Sequence, residues 1–588
     1  MAAKHFVDDP TRLVRTALEA APLINPSLGL DAENKIVYRR AKHAPQVALV
    51  SGGGSGHEPS FTGFVGHGLL SAAVAGSIFA SPSAAQVRSA LLQRVDGRQG
   101  ILVILMNYTG DVLNFGMAVE SAKASGAQVE MVVVGDDVGV GRRQAGKVGR
   151  RGIAGTVLVH KITGALASTG APLDQVRNIA LLTSQNLVSV GASLDRVHVP
   201  GRAPLEPTSD ETLATGEVEV GMGIHNEPGS YRARLDLHGL VKSMLAQILD
   251  DDEDRAFLRI TPDDPVVLLL NNLGGVSMLE LAGITTEVVS QLRSSYSIKP
   301  ARILSGTYMT SLNGLGFSIT LLKLVDTGLG KGQQLIDLLD APAEAVGWSA
   351  PVAPQSWGQK GDIEEDTVMG GIDDYSKPSG FRMDPVVAKT ALESALKRLI
   401  HVEADITHYD DVVGDGDCGV GLTRGAEAVL SVITGDQPLS DDAEVEVNRW
   451  ARIVETSMDG TSGALYTIFL HSLAHSLREA GETGLQIGTA FQWAEALHAS
   501  LAVLRRYTPA HPGDRTVVDA LQPFIEVLQH TGDVKQAAAA AKEGARRTQS
   551  MRPSLGRSVY VGGDGWRDVP DPGAHGLSEF LLGFAAGL

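Results

Sequence analysis

Apolar runs of strand length recur through the first 340 residues, at 47–50, 101–105, 129–134 (broken only by Glu130) and 266–270. Runs without alternation predict strands covered on both faces, and the helix-like stretches between them predict α/β layers. Residues 341–380 lose any period and are rich in Pro, Gly, Ser and Asp, which predicts an ordered loop followed by a linker. After Asp384 the period becomes helical. Leu392, Leu396, Leu399 and Ile400 fall on one face of a helix that Asp384-Pro385 would cap. Further Ala/Leu-rich helices are expected at 450–455, 464–480, 490–505 and 534–548, with few strand signals. The pattern divides the chain into an α/β domain at 8–340, a linker at 341–383 and an all-α domain at 384–588. No short-period repeat is present.

Charge and composition narrow the function. A formal charge of −18 over 588 residues excludes nucleic acid as the main partner, because a phosphate-backbone binder needs a basic face. Cys418 is the one cysteine, so neither an internal disulfide nor a cysteine-rich zinc site can form. The first residues carry no apolar signal core, and the aliphatic strings are too short to span a bilayer. A cytoplasmic protein with no membrane partner is expected.

Four places carry candidate chemistry. The run Tyr409-Asp410-Asp411-Val412-Val413-Gly414-Asp415-Gly416-Asp417-Cys418-Gly419 crowds carboxylates that repel one another unless a cation neutralises them. Hard cations such as Mg²⁺ take such oxygen ligands. An acidic surface turn has the same composition, so this run alone leaves both readings open. Ser51-Gly52-Gly53-Gly54-Ser55-Gly56-His57-Glu58-Pro59 follows a strand and is expected to be a glycine-rich strand-to-helix turn, able to hold an anion or a sugar hydroxyl. It is not a P-loop, since no G-x-x-x-x-G-K-[ST] occurs. Asp111 follows the strand at 101–105, where ligands sit in open α/β sheets, although an N-cap needs no function. His225 stands in the glycine-rich loop at 221–229.

Together these runs resemble the dihydroxyacetone kinase family in its single-chain, ATP-dependent form. The likeness rests on Gly52–Pro59, Asn107–Asp111 and Gly221–His225 in the first half. In the second half it rests on the aspartates at 410, 415 and 417, Met458–Tyr466, Gly513–Leu521, Gly556–Tyr560 and Asp571–Ala574. The resemblance implies a ketose-binding α/β domain of two α/β subdomains, followed by an all-α helical barrel that binds the nucleotide. It implies that His225 holds the ketone as a hemiaminal, that Asp111 takes the proton of the attacking hydroxyl, and that His57 with Gly54, Ser55 and Gly56 fixes the sugar. Asp410, Asp415 and Asp417 would hold Mg²⁺, two ions in this family, on the phosphates of ATP. Gly416, Cys418, Gly419, Thr461, Ser462, Gly513, Arg515, Asp571, Pro572 and Gly573 would line the nucleotide, and Arg557 would steady charge on the transferred group. A homodimer is expected.

One position departs from the family. A lysine usually precedes Asn-Tyr-Thr-Gly-Asp, near the sugar, and here it is Met106. Loss of a cation and donor at the sugar points toward a four-carbon ketose such as erythrulose beside dihydroxyacetone. A ketose-sensing regulator without catalysis would not need the aspartate triplet. A cyclase acting on a flavin nucleotide would need the triplet but not His225.

Overall fold

The computed structural model describes residues 5–7, 9–40, 45–202, 212–350, 352–358, 378–435, 437–481, 487–555 and 565–588. The chain divides into two compact units, Met1–Glu364 and Glu365–Leu588. Among the described residues the first holds two six-stranded sheets and the second is helical.

The first sheet contains β1 (Leu28–Asp31), β2 (Ile36–Arg39), β3 (Ala48–Ser55), β4 (Ala72–Ile78), β5 (Ile101–Met106) and β6 (Val129–Val134), in the order β1-β2-β4-β3-β5-β6. β4, β3, β5 and β6 run parallel, with β1 and β2 antiparallel at one edge. Every residue of β5 is buried. Ile101, Val103 and Leu105 share an apolar cluster with Phe115 and Val119 of the helix Thr109–Ala124. Leu102, Ile104 and Met106 share another with Val157, Leu158 and Ile162 of the helix Thr156–Ser168. Cover on both faces is the reason the strand reads as continuous apolar sequence.

The second sheet contains β7 (Leu187–Ser193), β8 (Val218–Val220), β9 (Tyr231–Ala233), β10 (Val266–Asn272), β11 (Arg302–Gly306) and β12 (Gly316–Lys323), in the order β11-β10-β12-β7-β8-β9. Only β10 and β11 pair in parallel. The stretch after residue 340 begins packed on this unit: Gly347 N–H donates to Gly63 O at 2.8 Å, and the Trp348 ring lies 5.5 Å from Tyr308.

The glycine-rich run corrects one expectation. It is not a strand-to-helix turn, because β3 continues through Gly52–Gly54 to Ser55, with a register irregularity between Gly53 and Ser55. A β-carbon on Gly52 would lie 2.2 Å from Val74 O of the adjacent strand. Gly52 serves close strand approach and Gly54 the approach of Phe79 and Ala80, which residue preference alone reads as a turn.

In the second unit eight helices close a ring. Pro385–His401 packs on Cys418–Ile433, which packs on Ala443–Ser457, then Gly460–Gly481, Ala490–Leu504, Val518–Thr531, Val534–Arg547 and Pro572–Gly587, which returns to the first. The ring surrounds an apolar cavity of about 540 Å³ lined by residues such as Leu422, Trp450, Phe469, Phe524 and Phe580. Asp384 caps the first helix as expected, accepting from Val386 N–H and Val387 N–H. No described helix is long and apolar enough to cross a membrane.

Candidate active site

In the first unit β3 and β5 end on the same side as the start of the helix Thr109–Ala124. His57, just past β3, is fully buried. Its Nδ1–H donates to Thr310 O at 2.8 Å, and its Nε2 lies 2.9 Å from Nε2 of His225. His225 Nδ1 and backbone N–H both donate to Glu227, at 2.9 Å each. A chain of contacts thus runs from Thr310 through His57 and His225 to Glu227.

The proton count on that chain is constrained. A carbonyl only accepts, so His57 Nδ1 carries a hydrogen. Burial, then the neighbouring charge of His225, lowers His57 to about 3, so its Nε2 is an acceptor at neutral pH. Burial pushes the Glu227 carboxyl up, but the hydrogen bonds and charge of His225, with Arg151, outweigh it and hold Glu227 at about 2. Glu227 is therefore ionised. Glu227 holds the hydrogen of His225 on Nδ1 and turns His225 Nε2 toward His57.

Aromatic rings wall this chain. Phe79 stacks on His57 at 5.2 Å and meets His225 edge-on at 5.1 Å, while Tyr108 meets His225 edge-on at 4.6 Å. Gly223 permits Glu227 to approach, because a β-carbon there would lie 2.1 Å from Glu227 Oε2.

Asp111 is not an N-cap. The helix Thr109–Ala124 is capped at Tyr108, and Asp111 sits in its first turn, 5% exposed. Burial raises its carboxyl, opposed by a hydrogen bond from Ser81 and the charge of His225. Oδ1 has no hydrogen-bond partner among the described residues. A buried carboxylate with an open acceptor beside a histidine can take a proton from a bound hydroxyl.

The remaining expected residues of this half are mostly committed to the scaffold. Ser55 Oγ donates to Gly76 O at 3.0 Å, Gly56 N–H donates to Glu58 Oε2 at 2.9 Å, and Gly56 O accepts from Leu312 N–H at 2.7 Å. Gly54 lies under Ala80, whose nitrogen would be 2.7 Å from a β-carbon there. Met106 is 1% exposed and packs in the apolar cluster with Leu102 and Ile104. Glu227, Thr310 and Phe79 had no assigned role in the sequence. Glu227 was visible two residues after His225, whereas Thr310 and Phe79 carry no local signal.

In the helical unit, Asp410, Asp415 and Asp417 bring ligand atoms within 4.8 Å of one another. Asp410 is buried and its Oδ2 accepts from Cys418 N–H at 3.0 Å, while Asp415 and Asp417 are exposed. Gly416 between them has φ 78°, and a β-carbon would lie 2.2 Å from Asp411 Oδ1, so only glycine makes this turn comfortably. An all-oxygen donor set fits a hard divalent cation.

Helix N-termini gather here. Cys418 Sγ lies 3.9 Å from Ser462 Oγ, which joins the starts of Cys418–Ile433 and Gly460–Gly481. Burial pushes the Cys418 thiol up to about 12. Asp571 caps Pro572–Gly587 through Ala574 N–H, and burial, with Asp519 and Asp410 nearby, pushes its carboxyl up to about 7. Converging N–H groups beside carboxylates suit a polyphosphate with its cation. Thr461 is exposed at that edge. Gly513 N–H is held by Asp519 at 2.6 Å, and Pro572 and Gly573 form the first turn after Asp571. Arg515 is 1% exposed, and its Nε and Nη2 donate to the carbonyls of Thr548, Trp566 and Val569, so it ties the loop together from inside. Arg557 and the rest of its motif, residues 556–560, lie outside the described residues.

Known families match both units. Residues 20–347 match the Dak1 domain and residues 412–586 the DAK2 domain. A dihydroxyacetone kinase of Pichia angusta is 42% identical, covering 100% of this chain and 98% of the relative. A putative 3,4-dihydroxy-2-butanone kinase of Solanum lycopersicum is 38% identical, covering 97% and 96%. The crystal structure of the dihydroxyacetone kinase from C. freundii in complex with AMP-PNP and Mg²⁺ superposes with a TM-score of 0.63 at 31% identity, covering 100% of both chains. Full-length similarity at this level, with both domain models matched in order, places the chain in the dihydroxyacetone kinase family.

Proposed function

We propose that this chain transfers the γ-phosphoryl group of ATP to a terminal hydroxyl of a short-chain ketose bound covalently to His225. The observation that carries the reading is the chain Thr310–His57–His225–Glu227 with the buried Asp111 beside it. As the lone pair of His225 Nε2 adds to the carbonyl carbon, the C–O π bond breaks and the carbonyl oxygen takes a proton from solvent. The imidazole gains one positive charge, which ionised Glu227 balances. A polyol has no carbonyl and cannot be held this way. Asp111 then takes the proton of the terminal hydroxyl as its oxygen forms a bond to phosphorus and ADP leaves.

On the helical unit, Asp410, Asp415 and Asp417 would hold Mg²⁺, which supplies neutralisation of the phosphate charge when bound. Thr461, Ser462 and the gathered helix starts would orient the phosphates. The relative solved with AMP-PNP and Mg²⁺ supports both co-substrate and ion. The ketose is dihydroxyacetone or a tetrulose. Met106 offers no donor, so recognition falls to His57 and the backbone near Gly54. The tomato relative's name, a four-carbon ketone kinase, supports a longer substrate. An ADP-release assay over dihydroxyacetone, both erythruloses, glyceraldehyde and glycerol tests this. Release with a ketose and none with glycerol is expected, and turnover of glycerol equal to the ketoses would refute the hemiaminal. Formation of a cyclic flavin nucleotide without ketose turnover would favour the cyclase.

A further inference from the structure

The loop that carries His225 is fastened at four carbonyls. Gly221 O accepts from Arg151 Nη2 at 2.7 Å, Ile224 O from Ser311 Oγ at 2.6 Å, Asn226 O from Arg196 Nη1 at 2.8 Å and Glu227 O from Gly223 N–H at 3.0 Å. Within it Asn226 alone combines a side chain with a left-handed backbone, at φ 66°. That region costs L-residues energy, and asparagine enters it more readily than most.

The Asn226 side chain does more than tolerate the conformation. Its Oδ1 accepts from Val197 N–H at 2.9 Å and its Nδ2 donates to Val197 O at 2.9 Å. Both polar ends of the amide thus grip the main chain of one residue, just beyond β7. None of these contacts involves a group assigned to the chemistry. The consequence falls on its neighbours, because Asn226 separates His225 from Glu227. Glu227 meets both the backbone N–H and Nδ1 of His225 only while the chain reverses at 226. Rotation there would swing the imidazole away from its carboxylate and from His57.

We propose that Asn226 is a positioning residue, whose two-ended clamp on Val197 holds the His225–Glu227 turn left-handed and so aims His225 Nε2 at the ketone carbon. The inference rests on the reading that His225 carries the ketose. Asn226→Gly keeps the left-handed backbone accessible and deletes the clamp. Asn226→Asp keeps an acceptor for Val197 N–H but cannot donate to Val197 O. Adduct formation with dihydroxyacetone or erythrulose, followed by intact-protein mass spectrometry, should slow at least about tenfold in both, since small misplacement of a reacting group is costly in rate. Mg²⁺–ATP binding should be unchanged by calorimetry, and melting curves report any loss of fold. A wild-type adduct rate in Asn226→Gly overturns the clamp's role, as does slowing in either variant that only tracks a fall in folded fraction. An adduct absent from the wild-type protein would instead overturn the His225 reading on which the inference stands.

Discussion

Replacing Asp111 with asparagine removes a charge and keeps the side chain's size. The carboxylate is 5% exposed, accepts from Ser81 and leaves Oδ1 without a partner among the described residues. An amide oxygen can keep the Ser81 bond, so packing should survive. Its basicity is lost, however, and a positioned general base contributes about 10²–10⁴ in rate, or about 2.7–5.4 kcal/mol of barrier. Stability should move the other way. Burial raises the Asp111 carboxyl, so the folded chain binds its proton more tightly than the unfolded chain. The group's stabilising contribution is therefore complete below its unfolded value, about 3.9, and disappears as pH rises through the folded value. At pH 7 a buried charge remains as a cost that asparagine lacks. Asp111→Asn should melt no lower than wild type at pH 7 and lose any advantage near pH 4. It should form the ketose adduct normally while kcat for ADP release drops at least about a hundredfold. A kcat within about threefold of wild type would refute the base assignment, and loss of the adduct would show that Asp111 binds rather than deprotonates.

Glu227→Gln should slow adduct formation by roughly a hundredfold, because the ring loses the anion that orients it. Since Glu227 is held at about 2, its pairing stabilises the fold fully above its unfolded value, about 4.3, and loses that effect as pH falls through the folded one, so the melting difference from Glu227→Gln should shrink on acidification. Asp415→Ala or Asp417→Ala should abolish Mg²⁺–ATP binding by calorimetry and spare the adduct; loss of the adduct with ATP binding intact would reverse the assignment of the two units. Met106→Lys should shift the kcat/KM ratio toward dihydroxyacetone by about tenfold, at a cost in melting temperature for a charge placed at a 1% exposed site. A ratio within about threefold would mean that residue 106 only packs.

The division into α/β and helical units was legible because continuous apolar runs such as 101–105 and the repeat at Leu392, Leu396 and Leu399 each fit one period. Glycine misled at 52–54. Its preference for turns says nothing of Val74 O lying too close for a side chain. His57, His225, Asp111 and the aspartate triplet were legible through motif order. Their partners were not, because Thr310 meets His57 across 253 positions and Phe79 reaches both histidines only through tertiary packing. The resemblance put Arg515 beside the nucleotide, and the sequence could not show how it is anchored. Its burial against three carbonyls depends on segments 33 to 54 residues away.

The central claim is a ketose bonded to His225. Intact-protein mass spectrometry of the full chain, incubated with dihydroxyacetone or erythrulose without ATP, should show one added ketose in the wild type and none in His225→Ala. Glycerol should add nothing to either. An adduct that persists in His225→Ala, or full kinase activity in that variant, would contradict the account.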